Sequence, residues 1–183
     1  VGLYSAASSL IESVWIIASG ITPIVLSKIS NTGDTPFNRN ITITLAKAGF
    51  LLSCLAVLVI WFIPVELFIY LLGEDFTEVK HLMLVLSPGI LCISFSTVIS
   101  HYFSGIGKLK FIAGCNFMGF VFAIILAPIL MERYSLTGAA IAANVGYFIS
   151  SLGLFFGFAV RNKLTLSEFF NFKSDIRNIK QAF

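Results

Sequence analysis

Five long apolar runs leave this chain little choice of solvent. They cover 3–26, 43–72, 82–104, 111–131 and 138–160. A helix needs ~20 mostly apolar residues to cross a hydrocarbon core of roughly 30 Å. Ionisable groups inside the runs are few: Glu12 in the first, Lys47 and Glu66 near the ends of the second, and His101 in the third. The last two runs have none. Only 11% of residues are charged, less than half of the ~25% that a soluble domain uses to solvate its surface. Transmembrane strands would alternate over ~10 residues. These runs are continuous and twice that length, so helices are the expected spans. The expected fold class is therefore all-α, a polytopic transmembrane helical bundle of about five spans.

Turn signals separate the runs: Asn31-Thr32-Gly33-Asp34-Thr35-Pro36, Gly73-Glu74-Asp75, Gly105-Ile106-Gly107-Lys108 and Glu132-Arg133-Tyr134-Ser135. With five spans the connections alternate sides, and the cations do not divide evenly. One side takes Lys28, Arg39, Lys47, Lys108, Lys110, Arg161, Lys163, Lys173, Arg177 and Lys180, the other only Lys80 and Arg133. By the positive-inside rule the richer side is cytoplasmic. The bundle, 1–160, then starts outside, and the tail, 161–183, lies in the cytoplasm. The tail mixes Phe169, Phe170 and Phe172 with Lys and Arg. It reads equally as an amphipathic helix on the inner leaflet or as a solvated segment. The basic balance orients the protein and is not arranged for nucleic acid. The chain opens on Val1 with no basic region or cleavage signal before the first run, so upstream spans are expected rather than a signal peptide.

Two runs carry polar stripes. In the first, Ser5, Ser8, Glu12, Ser19 and Thr22 recur at steps of 3, 4, 7 and 3, with Trp15 in the gap. In the third, Ser87, Ser94, Thr97, His101 and Ser104 follow steps of 7, 3, 4 and 3. Each stripe is one helix face. A carboxylate in a span is costly unless paired, protonated or wet. Two readings of Glu12 stand: it lines a polar interior, or it sits at the outer interface or binds a neighbouring helix. His101 likewise reads as a titrating group, as a hydrogen-bonded interface residue or as a headgroup contact. Pro88-Gly89 is expected to bend the third helix.

The fifth run carries small residues instead. Gly138, Ala142, Gly146, Ser150, Gly153 and Gly157 form a ridge at steps of 4, 4, 4, 3 and 4. That spacing lets two helix backbones approach closely, with Asn116 and Asn144 as candidates for interhelical hydrogen bonds. Cys54, Cys92 and Cys115 fall inside apolar runs without C-x-x-C spacing, so no metal or other cofactor is expected. No D-x-D and no G-x-x-x-x-G-K-[ST] occurs, and no catalytic residues are expected.

Four segments carry a family resemblance when taken in order: Val1-Gly2-Leu3-Tyr4-Ser5-Ala6-Ala7, Leu72-Gly73-Glu74-Asp75-Phe76, Tyr102-Phe103-Ser104-Gly105-Ile106-Gly107-Lys108 and Leu136-Thr137-Gly138-Ala139-Ala140-Ile141-Ala142. Together they resemble the C-terminal half of O-antigen-type polysaccharide flippases, of the multidrug/oligosaccharidyl-lipid/polysaccharide exporter superfamily. The resemblance implies twelve or more helices in two bundles around a central cavity, with alternating access. This chain would be the last five helices and its partner the missing N-terminal half. The implied cargo is an undecaprenyl-diphosphate-linked oligosaccharide crossing the bacterial inner membrane for lipopolysaccharide synthesis. Cations facing the diphosphate would belong to the missing half, since no Lys or Arg lies mid-span here. Ser5, Ser8, Glu12, Trp15, Ser19, Ser94, Thr97 and His101 are then the expected cavity-lining residues. Two other functions are weighed: a drug/cation antiporter of the same superfamily, and a membrane-embedded glycan-modifying enzyme.

Overall fold

The computed structural model describes residues 2–20, 23, 27, 31 and 36–164. Thr22, the first connecting turn with Gly33, and the tail beyond 164 lie outside the described residues. Helix α1 is Gly2–Ser19, α2 Pro36–Phe62, α3 Val65–Leu72, α4 Val79–Gly105 and α5 Leu109–Asn162, with a 3₁₀ turn at Glu74–Phe76 before α4. Among the described residues the protein is all-helical, a partial helical membrane bundle. Helix α4 is its hub, with α1, α2 and α5 all packed against it.

Among the described residues, α2, α4 and α5 are long and apolar enough to cross a membrane. Helix α5 has 54 residues, which at 1.5 Å per residue would reach about 80 Å. It does not run straight. Ser135 adopts φ 50°, ψ −128°, and the arms on either side, 109–134 and 136–162, fold back on each other. Gly119 lies against Gly146, Cys115 against Gly153, and Phe111 against Gly157. Each arm is long enough to span. Helix α1, described over 18 residues and interrupted by Glu12, falls outside the apolar set.

The second run differs from its expected extent of 43–72. Its helix begins seven residues earlier, at Pro36, and ends at Phe62. Proline suits a first helical position because the N–H it lacks has no intrahelical partner there. Pro64 then breaks the run. It has no N–H to continue the ladder and its ring crowds the preceding turn. The chain restarts as α3, with Glu66 in its first turn, where a carboxylate favours the helix dipole.

Pro88 acts differently, because α4 continues through it from Val79 to Gly105. Ser87 Oγ donates to the Leu84 carbonyl at 2.8 Å, the acceptor that Pro88 leaves without its helical donor. The other end of α4 closes on Gly107, at φ 73°. Lys108 N–H donates to Phe103 O at 2.8 Å and Gly107 N–H to Ser104 O at 3.0 Å. This paired closure places its pivot residue in left-handed backbone, where glycine carries no side-chain penalty.

Two clusters form the core. One joins α2, α4 and the end of α5 through Ile41, Leu45, Val98, Tyr102 and Phe158. Tyr102 is fully buried, its ring 4.9 Å from that of Phe158, and its hydroxyl is 3.2 Å from Asn162 Oδ1. The other joins α1 to the start of α4 through Ala7, Ile11, Val14, Leu82, Leu86 and Ile90, with Phe68 of α3 and Ala140 of α5.

Candidate transport cavity

A cavity of about 550 Å³ opens between α1, α4 and the two arms of α5. That volume is typical of a small-molecule site. Trp15 enters it from α1, Ser96, Thr97, Ser100 and His101 from α4, Asn116 and Phe120 from the first arm of α5, and Tyr147 and Ser150 from the second. Among the described residues, no Lys, Arg, Asp or Glu is in the lining. The wall is apolar and aromatic, set with hydroxyl, amide and imidazole groups.

Its best-defined polar element is a short relay. Trp15 Nε1–H donates to Thr97 Oγ1 at 2.7 Å, and Thr97 Oγ1 donates to the Ile93 carbonyl at 2.8 Å. Both hydroxyl roles of Thr97 are thus filled, and the indole ring is fixed against α4. Ser96 Oγ shares a 2.9 Å hydrogen bond with Ser151 Oγ, pinning α4 to the second arm. His101 contrasts with these. It lines the cavity, while its Nδ1 is buried and has no hydrogen-bond partner among the described residues.

The expected lining residues divide. Trp15, Thr97 and His101 meet in the wall. Ser94 does not: it is fully buried and donates to the Ile90 carbonyl at 2.8 Å. Ser8 donates to the Ser5 carbonyl at 3.1 Å and Ser19 to the Ile16 carbonyl at 2.8 Å. Ser5, Ser8 and Ser19 are absent from the lining. Glu12 is exposed and also absent from it.

The ridge of α5 faces inward. A Cβ on Gly146 would stand 2.8 Å from the Gly119 carbonyl oxygen and 2.9 Å from Ala123 Cβ. One on Gly153 would meet Cys115 Sγ at 3.0 Å, and one on Gly138 would run into the Leu130 carbonyl. Ser150 Oγ occupies the space over Gly119, and Ala142 is buried. Gly146 and Ser150 belong to the ridge and to the cavity wall at once. Sequence reading did not assign Ser96, Ser100, Phe120 and Tyr147 to the cavity. They sit in apolar runs and gain meaning only when the hairpin brings its arms against α4.

Comparisons with curated proteins and with solved structures found no match. A family model described as MatE matches residues 4–129, which takes in α1 to α4 and most of the first arm of α5. Proteins of this family are transporters. A multi-pass bundle with a neutral, polar-studded cavity between its helices fits that assignment, and the chain belongs to the MatE family, within the multidrug/oligosaccharidyl-lipid/polysaccharide exporter superfamily.

Proposed function

We propose that this chain is the C-terminal bundle of a flippase that moves a lipid-linked oligosaccharide across the plasma membrane. The carrying observation is the cavity, walled by the fixed Trp15–Thr97 pair together with His101, Asn116 and Ser150. A sugar crossing roughly 30 Å of hydrocarbon needs replacements for its bonds to water. Hydroxyls, an amide and an imidazole offer exchangeable ones. The Trp15 ring offers a flat apolar face beside them. Weak partners suit transport, since tight ones would hold the cargo midway. No described residue of the lining is a cation, and the diphosphate is assigned to basic groups of the N-terminal half. The four ordered segments that resemble O-antigen flippases support the same cargo.

For orientation we propose that the C-terminus faces the cytoplasm. Lys108, Lys110, Arg161 and Lys163 gather at the end of the bundle where Tyr102 meets Asn162. Arg133 lies at the opposite end, beside the Ser135 turn.

One observation favours a second reading, a cation-coupled drug antiporter. Glu12 is a carboxylate inside an apolar run, a costly placement that a coupled proton or sodium ion would relieve. A deletion strain complemented with the intact transporter separates the two. The flippase reading expects wild type to restore surface polysaccharide and Glu12→Gln to retain most of it. Loss with Glu12→Gln as complete as with Glu12→Ala would favour ion coupling. Full display in the uncomplemented strain, with no paralogue present, would remove the flippase reading.

A further inference from the structure

The Pro88 break in α4 is closed by a side chain from another helix. Gly89 N–H donates to Asn144 Oδ1 at 3.0 Å, and Asn144 Nδ2–H donates to the Val85 carbonyl at 2.6 Å. In an undisturbed helix that N–H and that carbonyl, four residues apart, are each other's partners. One carboxamide from the second arm of α5 bridges both. Its fit depends on residue 89 having no side chain. A Cβ there would collide with Asn144 Oδ1 and stand 2.8 Å from Tyr147 Cδ2 and 3.1 Å from Asn144 Cα. The sequence Pro88-Gly89 therefore does two things: proline opens the ladder and glycine admits the amide.

A bond inside a helix breaks when that helix unwinds. A bond to a neighbouring helix also breaks when the two slide. Integrity of α4 at Gly89 is thus tied to the position of the arm bearing Asn144. That same arm carries Tyr147 and Ser150 into the cavity, and α4 beyond Gly89 carries Thr97 and His101. We propose that Asn144 is a positioning residue that latches the Pro88 break, and that its release lets the cavity-bearing part of α4 move against the second arm of α5 during transport. This rests on the transporter family and on the three residues; the cargo enters only in the transport arm of the test.

Hydrogen–deuterium exchange of the intact transporter in nanodiscs reads the latch. In segment 84–93, Asn144→Leu should speed exchange about tenfold, the factor one hydrogen bond of this kind carries. Pro88→Ala removes the ring that splays this turn, letting Gly89 N–H return to the Val85 carbonyl, so the double variant Pro88→Ala/Asn144→Leu should exchange no faster than wild type. If Asn144→Leu alone fails to fold, recovery of folded protein by the added Pro88→Ala is the expected result. Equal exchange in Asn144→Leu with and without Pro88→Ala, or failure of both to fold, would overturn the latch. In the transport arm, the double variant at normal protein level should lower the rate of glycan display without weakening cargo binding. A wild-type rate would overturn the role in movement. If wild type itself restores no display, the cargo assignment fails while the exchange result still decides the latch.

Discussion

The serines of α1 and the glycines of α5 recur at similar helical spacings, yet they meet different fates. Ser8 and Ser19 turn their hydroxyls back onto carbonyls three residues earlier in their own helix. Gly146 and Gly119 put two backbones in contact. The difference lies in what each residue can do alone. A hydroxyl can satisfy itself on the preceding turn, so a serine stripe need not face water, cargo or another helix. A missing side chain satisfies nothing, and in a span it gains only from a close neighbour. The two patterns therefore carry unequal information about tertiary structure.

Enlarging the ridge should break this comparison most severely. Gly146→Leu drives a side chain into the Gly119 carbonyl and Ala123, where neither arm can yield without opening the hairpin. A loss of about 3 kcal/mol is expected, seen as a collapse of folded yield and of the thermal midpoint in detergent. Phe155→Leu is the control. Phe155 only packs partly buried against the core, its ring 5.8 Å from that of Phe95, and about 1 kcal/mol is expected. Equal midpoints for the two variants would remove the backbone-contact argument.

Trp15→Phe tests the relay at the next scale. It keeps a ring in the cavity but removes the N–H that holds Thr97, at a cost of about 1 kcal/mol. Display of glycan should fall further than the thermal midpoint does, because the ring loses its fixed angle. An unchanged rate would take the relay out of the transport path.

The smallest effect is expected where a polar group gains nothing. Ser53 is fully buried in α2, and its Oγ has no partner among the described residues. Ser53→Ala removes an unsatisfied hydroxyl and should leave stability within about 0.5 kcal/mol of wild type or raise it. A marked drop in the midpoint would mean that this hydroxyl does form a bond in the assembled transporter.

What the sequence made legible follows from the same physics. Apolar run length disclosed the bundle, since backbone polar groups in lipid leave helices and closed barrels as the available spans. Chain reversal at Ser135 was foreshadowed by Glu132-Arg133-Tyr134-Ser135, although a non-glycine at φ 50° was not. Pro64 and Pro88 look alike in sequence and part in structure. Pro64 ends a helix, while Pro88 is rescued by Ser87 and by Asn144, which lies 56 residues further along the chain. Hydropathy is blind to such a rescue. Trp15, Thr97 and His101 stood out as rare polar or aromatic groups in the stripes, but nothing local distinguished Thr97 from Ser94, three residues before it. One faces the cavity and the other the packed interior, and only the neighbours of α4 decide which.

That pair gives the most direct test of the central claim, that the wall formed by α1, α4 and α5 lines a path for cargo. Cysteines are placed singly at Thr97 and at Ser94 in the intact transporter, in a background with Cys54, Cys92 and Cys115 replaced, and exposed to a charged thiol reagent in open membranes. Thr97→Cys should react readily and be slowed by lipid-linked oligosaccharide, while Ser94→Cys should stay unmodified. Reaction at both positions alike, or an inert Thr97→Cys, would contradict the account.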